Sequence, residues 1–220
     1  RDFVLRLPRG YEKRSDWPLV VALHGRGSTG VEVEGYSELS SLPAVVAYPD
    51  GVADPDDPDF RKAWQGAPYE VEGVDDVAFV DDLLDELQAT RCVDARRTYV
   101  TGKSNGGGLA ALLTCRLPDR FAGAALVASA LYPGTQEGCA DASPVPTLVI
   151  HGVADATIPF AGDERRGLPD VRTWLAARAE RDGCEARPRQ GRIGRDVLTS
   201  RWRDCDDGSE LRLLAVEGGG

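Results

Sequence analysis

A serine stands at the centre of Gly102-Lys103-Ser104-Asn105-Gly106, a segment with the pattern G-x-S-x-G. An apolar run of strand type precedes it and a helical pattern follows it. In that context the pattern marks a nucleophile elbow, a sharp turn that exposes the serine hydroxyl, whereas elsewhere it is only a structural glycine turn. Negative charge that develops at the start of the following helix is stabilised there. We therefore predict that Ser104 is the nucleophile of an acyl transfer through a covalent intermediate.

Acyl transfer also needs two hydrogen-bond donors directed at the developing oxyanion. One donor in such a fold is the backbone N–H after the nucleophile, and the other comes from the loop after an earlier strand. Here that loop is residues 23–27, LHGRG. We predict the N–H groups of Asn105 and Arg26 as the two donors, with Gly27 as the alternative to Arg26. We expect the ring of His24 to hold its own loop by hydrogen bonds rather than to take part in catalysis.

A carboxylate that orients a base is expected downstream of the nucleophile, at the end of a later strand. Residues 151–155, HGVAD, close such a strand, and they make Asp155 the predicted acid. Four other acids are weaker candidates, because two precede the nucleophile and two lie in a loop with glycine and cysteine. They are Asp50, Asp76, Glu137 and Asp141.

The elements that must position these residues alternate along the chain. Six apolar runs predict strands buried on both faces, at 18–25, 44–51, 97–104, 122–130, 147–155 and 210–218. Helical periodicity predicts helices over 76–91, 105–117 and 171–181, the first of them capped by Asp75 or Asp76. Strands that alternate with helices predict an α/β fold with a doubly wound, mostly parallel sheet. The segment 131–145 is too short for a lid domain, so we expect an open site.

Composition narrows the classes of partner. The 220 residues carry a net charge of −10, which repels phosphate backbones and anionic lipids, and no apolar run is long enough to span a membrane. We expect no nucleic-acid partner and no membrane partner. The acidic stretch 54–59, DPDDPD, is interpreted as a solvated turn.

Five cysteines lack the spacing of a zinc site, and only two histidines accompany them, so we expect no metal. In a secreted protein they would form two disulfides and leave one thiol, and Cys184 with Cys205 is the pair we favour because it would join a helix end to a late strand. The alternative is buried free thiols in a cytosolic enzyme.

These segments together resemble a family of secreted α/β-hydrolase esterases: feruloyl and cinnamoyl esterases, acetyl xylan esterases and polyhydroxybutyrate depolymerase-like enzymes. The resemblance covers nearly the whole chain and rests on LHGRG, on the stretches that start at Trp64 and Cys92, on HGVADATIPF from His151, and on the final VEGGG. The Trp64 and Cys92 stretches are more similar to the feruloyl esterase branch.

The resemblance implies a secreted serine esterase that needs no cofactor. Its expected substrates are feruloyl or related esters of plant cell-wall polysaccharide, with acetyl xylan or polyhydroxyalkanoate esters as alternatives. Trp64 and Tyr69 are expected to form an aromatic wall beside the substrate. We expect one catalytic domain over 1–220 and a monomer.

The family places its catalytic histidine directly after the terminal glycines, and no histidine follows Asp155 in this sequence. The chain also has no methionine and starts at Arg1. We interpret the sequence as an esterase domain incomplete at both ends. The alternatives are a catalytically inactive polysaccharide-binding homologue, a site completed by a separate segment, or recruitment of His24 or His151 as the base.

Overall fold

The computed structural model describes every residue from Arg1 to Gly220. Its strands are β1 (Phe3–Arg6), β2 (Trp17–Leu23), β3 (Val45–Pro49), β4 (Val52–Ala53), β5 (Lys62–Ala63), β6 (Val93–Lys103), β7 (Gly123–Val127), β8 (Thr147–Gly152), β9 (Arg189–Ile193), β10 (Val197–Trp202) and β11 (Leu211–Val216). Its helices are α1 (Gly30–Ser37), α2 (Asp76–Thr90), α3 (Asn105–Arg116) and α4 (Val171–Arg181).

Nine strands form one sheet in the order β1-β3-β2-β6-β7-β8-β11-β10-β9, and β4 and β5 form a separate two-stranded ribbon. The six strands from β3 to β11 in this order run parallel, while β1, β10 and β9 are antiparallel to their neighbours. The predicted α/β fold with a mostly parallel sheet is therefore confirmed. All six predicted strands and all three predicted helices are present.

The two faces of the sheet are packed differently. Leu19, Val21 and Leu23 of β2 belong to a core of 33 buried residues that also takes in the apolar sides of α2, α3 and α4. Val20 and Ala22 point the other way, into a small cluster beneath α1. This alternation is what a strand buried on both faces requires.

Helix α2 is capped by one of the two residues predicted for its N-cap. The side chain of Asp75 accepts a hydrogen bond from the N–H of Ala78 at 2.9 Å, so Asp75 is the N-cap. Asp76 is the first helical residue and is 1% exposed. The connection between β7 and β8 holds one short 3₁₀ turn, Pro133–Gln136, and no lid domain.

Two disulfides cross-link the chain. Cys184, just after α4, is bonded to Cys205, between β10 and β11, as predicted. The second pair joins Cys115 near the end of α3 to Cys139, and Cys92 is the free, exposed thiol. None of the helices combines the length and apolar character needed to cross a bilayer.

Candidate active site

Ser104 occupies the turn between β6 and α3 in a strained backbone conformation, with φ 55° and ψ −121°. The turn is held from both sides, because the Ser104 N–H donates to the carbonyl of Val127 at 3.0 Å and its carbonyl accepts from the N–H of Ala130 at 2.9 Å. A non-glycine residue at positive φ persists only where its surroundings enforce it. Ser104 lines a cavity of about 450 Å³ at the carboxyl ends of the parallel strands.

Close backbone approach explains the glycines around the serine. A Cβ atom on Gly106 would collide with the carbonyl groups of Leu23 and His24, and one on Gly102 would collide with the carbonyl of Gly106. Only glycine lets α3 start this close to the loop after β2. The elbow and that loop are therefore in direct contact.

The loop after β2 leaves the N–H of Arg26 free beside Ser104. Among the backbone hydrogen bonds outside helices and strands, the N–H of Gly27 donates to the carbonyl of Lys62 at 2.8 Å, whereas the N–H of Arg26 has no acceptor. Arg26 lines the same cavity as Ser104. The N–H of Asn105, at the first position of α3, likewise has no acceptor within the protein. Of the two alternatives in this loop, the geometry favours Arg26 over Gly27.

His24 is a structural residue, with both ring nitrogens engaged. Its Nδ1 donates to the carbonyl of Gly25 at 2.7 Å, and its Nε2 accepts from the N–H of Gly51 at 2.9 Å. The side chain is fully buried, and that burial lowers the pKa of the imidazole. His24 does not line the cavity of Ser104.

Trp64 is fully buried, so the expectation that it forms a wall against the substrate is wrong for this residue. Its indole N–H donates to the carbonyl of His24 at 2.9 Å. Its backbone N–H and carbonyl are paired with the amide side chain of Asn105 at 2.8 and 3.1 Å. Trp64 thus joins the loop after β2 to the start of α3 instead of contacting a ligand.

Tyr69, the other aromatic residue predicted to contact substrate, is half-buried and does not itself line the cavity of Ser104. Its ring meets that of Tyr132 edge-on with centroids 5.9 Å apart, and the guanidinium of Arg26 lies 4.3 Å from its centre. Burial raises the pKa of Tyr69.

Asp155 follows β8 and lines the cavity together with Ser104. Its Oδ1 accepts from the N–H groups of Thr157 and Ile158 at 2.8 and 2.9 Å, which fixes the carboxylate. Its Oδ2 has no such donor, and the nearest basic atom is Nε2 of His151 at 3.7 Å. One carboxylate oxygen is thus available to a further group.

His151 is not placed to serve as a base. The side chain is fully buried, and its Nε2 donates to the carbonyl of Ile158 at 2.7 Å. Nδ1 is enclosed without a partner, and the residue does not line the cavity. The ring supports the turn that carries Asp155.

The alternative acids lie elsewhere. Asp50 accepts from the N–H of Gly30 at 2.7 Å, and Asp76 accepts from the N–H of Gln65 at 2.6 Å. Neither these two nor Glu137 and Asp141 line the cavity of Ser104. No group of three or more histidine, cysteine or acidic side chains is arranged to hold a metal ion.

The acidic stretch 54–59 is more than a solvated turn, which corrects the interpretation from the sequence. The side chain of Asp57 is 3% exposed and accepts from Nη2 of Arg26 at 2.7 Å and from Nε of Arg61 at 3.0 Å. Sequence reasoning missed this residue, because a charge run gives no sign of which member turns inward. Arg61, two residues after the stretch, was the one available signal.

Known proteins are similar to this chain in sequence and in fold. The chain is 28% identical over 237 residues to feruloyl esterase B of Piromyces equi, with 100% of the chain covered, and 29% identical over 186 residues to feruloyl esterase C of Emericella nidulans, with 84% covered. It spans 42% and 63% of the lengths of these relatives.

Solved structures show the same fold at lower identity. The acetyl xylan esterase from Aspergillus awamori superposes with a TM-score of 0.71 at 15% identity, over 99% of this chain and 88% of that one. Esterase PE8 superposes with a TM-score of 0.63 at 20% identity, over 100% and 89%. A sequence profile described as esterase PHB depolymerase matches residues 2–145. The chain therefore belongs to the esterase PHB depolymerase family.

Proposed function

We propose that this protein is a serine carboxylic-ester hydrolase with Ser104 as nucleophile and Asp155 as triad acid. The observation that carries the proposal is the shared cavity, in which a strained serine, a carboxylate with one open oxygen and the Arg26 loop meet. The unpaired N–H groups of Asn105 and Arg26 act as the oxyanion donors. Preorganised donors of this kind usually contribute the largest single share of catalysis.

The reaction proceeds in two steps. The Ser104 oxygen attacks the ester carbonyl while its proton passes to an imidazole base, and the tetrahedral oxyanion collapses to an acyl-enzyme as the protonated base releases the alcohol. Water, deprotonated by the same base, then attacks the acyl group and frees the acid. Asp155 orients the imidazole and stabilises its cation.

Neither histidine of these 220 residues fits the part of the base, since both are buried and their rings are engaged in structural hydrogen bonds. We propose that the imidazole lies next to Gly220 in the polypeptide. Gly220 lines the cavity with Ser104 and Asp155, and the N–H of Ala154 donates to the carbonyl of Gly219 at 2.9 Å. A Cβ atom on Gly220 would lie 3.6 Å from the Cα of Asp155, so a side chain following Gly220 would start close to that residue.

The proposed substrates are feruloyl or related hydroxycinnamoyl esters of plant cell-wall polysaccharide. Two relatives named feruloyl esterase support this choice, as does the half-buried ring of Tyr69 near Arg26, which suits a planar acyl group. Acetyl xylan and polyhydroxyalkanoate esters are the alternatives. Two disulfides support a secreted protein. We also propose that residues 1–220 belong to one catalytic domain, which the base after Gly220 completes, and that the protein is a monomer.

A phosphonate ester that labels activated serines, read by intact mass, tests the nucleophile. Loss of the base in such a triad typically costs about 10⁶ in kcat and leaves roughly 10³ to 10⁴ over water. We expect slow labelling of the 220-residue chain, fast labelling once a histidine-containing continuation follows Gly220, and none in Ser104→Ala. The extended protein should also release ferulate from methyl ferulate.

Three outcomes of these experiments would each contradict a different part of the proposal. Labelling that persists in Ser104→Ala would refute the nucleophile. Fast turnover by the unextended chain would refute the proposed base. An extended protein that binds feruloylated oligosaccharide without cleaving it would identify a binding homologue instead of an enzyme.

A further inference from the structure

We propose that Asp57 is a positioning residue for the oxyanion loop and that it acts through the side chain of Arg26. The inference rests on the proposed function, in which the Arg26 N–H stabilises the oxyanion. Asp57 lies 31 residues from Arg26 in the chain and contacts neither Ser104 nor the cavity. Its effect on the reaction must therefore be indirect.

The segment from Gly51 to Trp64, which includes the β4–β5 ribbon, holds the oxyanion loop on both sides of Arg26. On the N-terminal side of Arg26, the ring of His24 accepts from the N–H of Gly51 at 2.9 Å, and the His24 carbonyl accepts from the indole N–H of Trp64 at 2.9 Å. After it, the N–H of Gly27 donates to the carbonyl of Lys62 at 2.8 Å. The peptide group that carries the Arg26 N–H is held at its other end, where the Gly25 carbonyl accepts from Nδ1 of His24 at 2.7 Å and from the N–H of Ser28 at 3.1 Å, while the N–H itself has no acceptor.

The Arg26 side chain supplies a further constraint. Its guanidinium donates to Oδ2 of Asp57 at 2.7 Å and lies 4.3 Å from the centre of the Tyr69 ring. The side chain is 32% exposed, while that of Asp57 is only 3% exposed. A long flexible side chain is thus anchored to a buried carboxylate, which restricts the movement of the Arg26 backbone.

Asp57 is built to remain in place and charged. Its Oδ1 accepts from the N–H of Asp59 at 3.0 Å, and its carboxylate also accepts from Nε of Arg61. Hydrogen bonds from Arg61 first, then from the Asp59 backbone and Arg26, hold the pKa of Asp57 below its ordinary value. A buried ion pair is weak support for stability, because desolvation offsets its attraction. We therefore assign the Asp57 carboxylate the role of holding the Arg26 side chain in place, rather than that of stabilising the fold.

Asp57→Asn is the sharpest variant, since the amide oxygen can still accept from Asp59 while the charge that attracts Arg26 is lost. Removal of an oxyanion donor costs roughly 10² to 10³ in kcat, and a misplacement of about 1 Å costs about 10²-fold. For a weakened anchor we expect kcat on methyl ferulate to fall about 10- to 100-fold, with KM changed less than about threefold. Asp59→Asn is the matched control, because Asp59 is 71% exposed and 3.7 Å from Arg61, and it should leave kcat unchanged.

A double-mutant cycle in the full-length protein separates this role from a general loss of structure. In an Arg26→Gln background, which keeps the backbone N–H, Asp57→Asn should reduce kcat no further. The affinity of a boronic acid that mimics the tetrahedral adduct should fall in parallel with kcat, whereas that of ferulate, the product acid, should not. An Arg61→Gln background should leave the full effect of Asp57→Asn in place.

Undiminished kcat in Asp57→Asn, or an equal loss in the Arg26→Gln background, would overturn the inference. If Asp57→Asn does not fold, Arg26→Gln alone should show the same loss of kcat and of boronate affinity. Full activity of the Arg26→Gln variant would refute the inference. Ser104→Ala keeps the two proposals apart. An inactive Ser104→Ala with a fully active Asp57→Asn leaves the esterase proposal standing and removes only this one.

Discussion

The strained turn at Ser104 predicts an unusual result, in which glycine stabilises the fold more than alanine does. Ser104 has φ 55° and ψ −121°, a conformation that a residue with a Cβ atom adopts only under constraint. Strain of this kind costs about 1–3 kcal/mol. Ser104→Ala keeps the Cβ atom and the strain, whereas Ser104→Gly removes both.

Glycine also makes the unfolded chain more flexible, which lowers the free energy of unfolding by about 0.5–1 kcal/mol. The difference leaves Ser104→Gly more stable than Ser104→Ala by up to about 2.5 kcal/mol. Urea denaturation followed by tryptophan fluorescence measures it, provided that both variants show the same dependence on urea. Neither variant should react with the phosphonate, because both lack the hydroxyl.

Ser143 provides the control pair, because it is exposed and is not among the residues with positive φ. There the order should reverse, with the alanine variant at least as stable as the glycine variant. If glycine is no better than alanine at position 104, the turn is not strained. The hydrogen bonds around Ser104 would then not be what forces its hydroxyl into the cavity.

Three further predictions concern the support of the site. Asn105→Ala leaves the buried N–H and carbonyl of Trp64 unpaired, at about 1–3 kcal/mol for each group, so urea denaturation should show a loss of at least about 2 kcal/mol. Burial lowers the pKa of His24 in the folded protein, whereas a histidine in the unfolded chain has a pKa of about 6.5. As the pH falls, the unfolded state therefore binds the proton first. The free energy of unfolding should therefore decrease from pH 7.5 to about 5.5, and a His24→Gln variant that retains this decrease would contradict the assignment. Replacing Cys184 and Cys205 by serine opens a link across 21 residues and should cost about 3 kcal/mol, seen as a lower Tm in the absence of reducing agent.

The main strands could be predicted because each is a continuous apolar run between turn signals. Four other parts of the fold give no such signal. Helix α1 has the sequence GVEVEGYS, in which valine and glutamate alternate, and its start depends on a capping box between Thr29 and Glu32. Every residue of β9 is exposed, so its strand character comes from pairing with β10 and not from hydrophobicity. The two residues each of β4 and β5 are too short for any pattern.

The positions of Ser104, Asp155 and the Arg26 loop could be predicted because each follows a strand within a few residues. The environments of Trp64 and Asp57 could not, because they depend on contacts across 41 and 31 residues of chain. A tryptophan in a glycine-containing loop reads equally well as a ligand contact or as a clamp. Only the tertiary structure shows that its polar atoms are used by His24 and Asn105.

The order of strands in the sheet explains why groups so far apart in sequence converge. Strands β2, β6 and β8 carry the Arg26 loop, Ser104 and Asp155 at their carboxyl ends, and only β7 separates the last two strands. Parallel strands end at one edge of a sheet, where a ligand site is normally built. Strand β11 pairs in parallel with β8, with Val216 opposite Gly152. The residues that follow β11 therefore emerge at the same edge as Asp155, and this is the physical reason to seek the base there and not at either buried histidine.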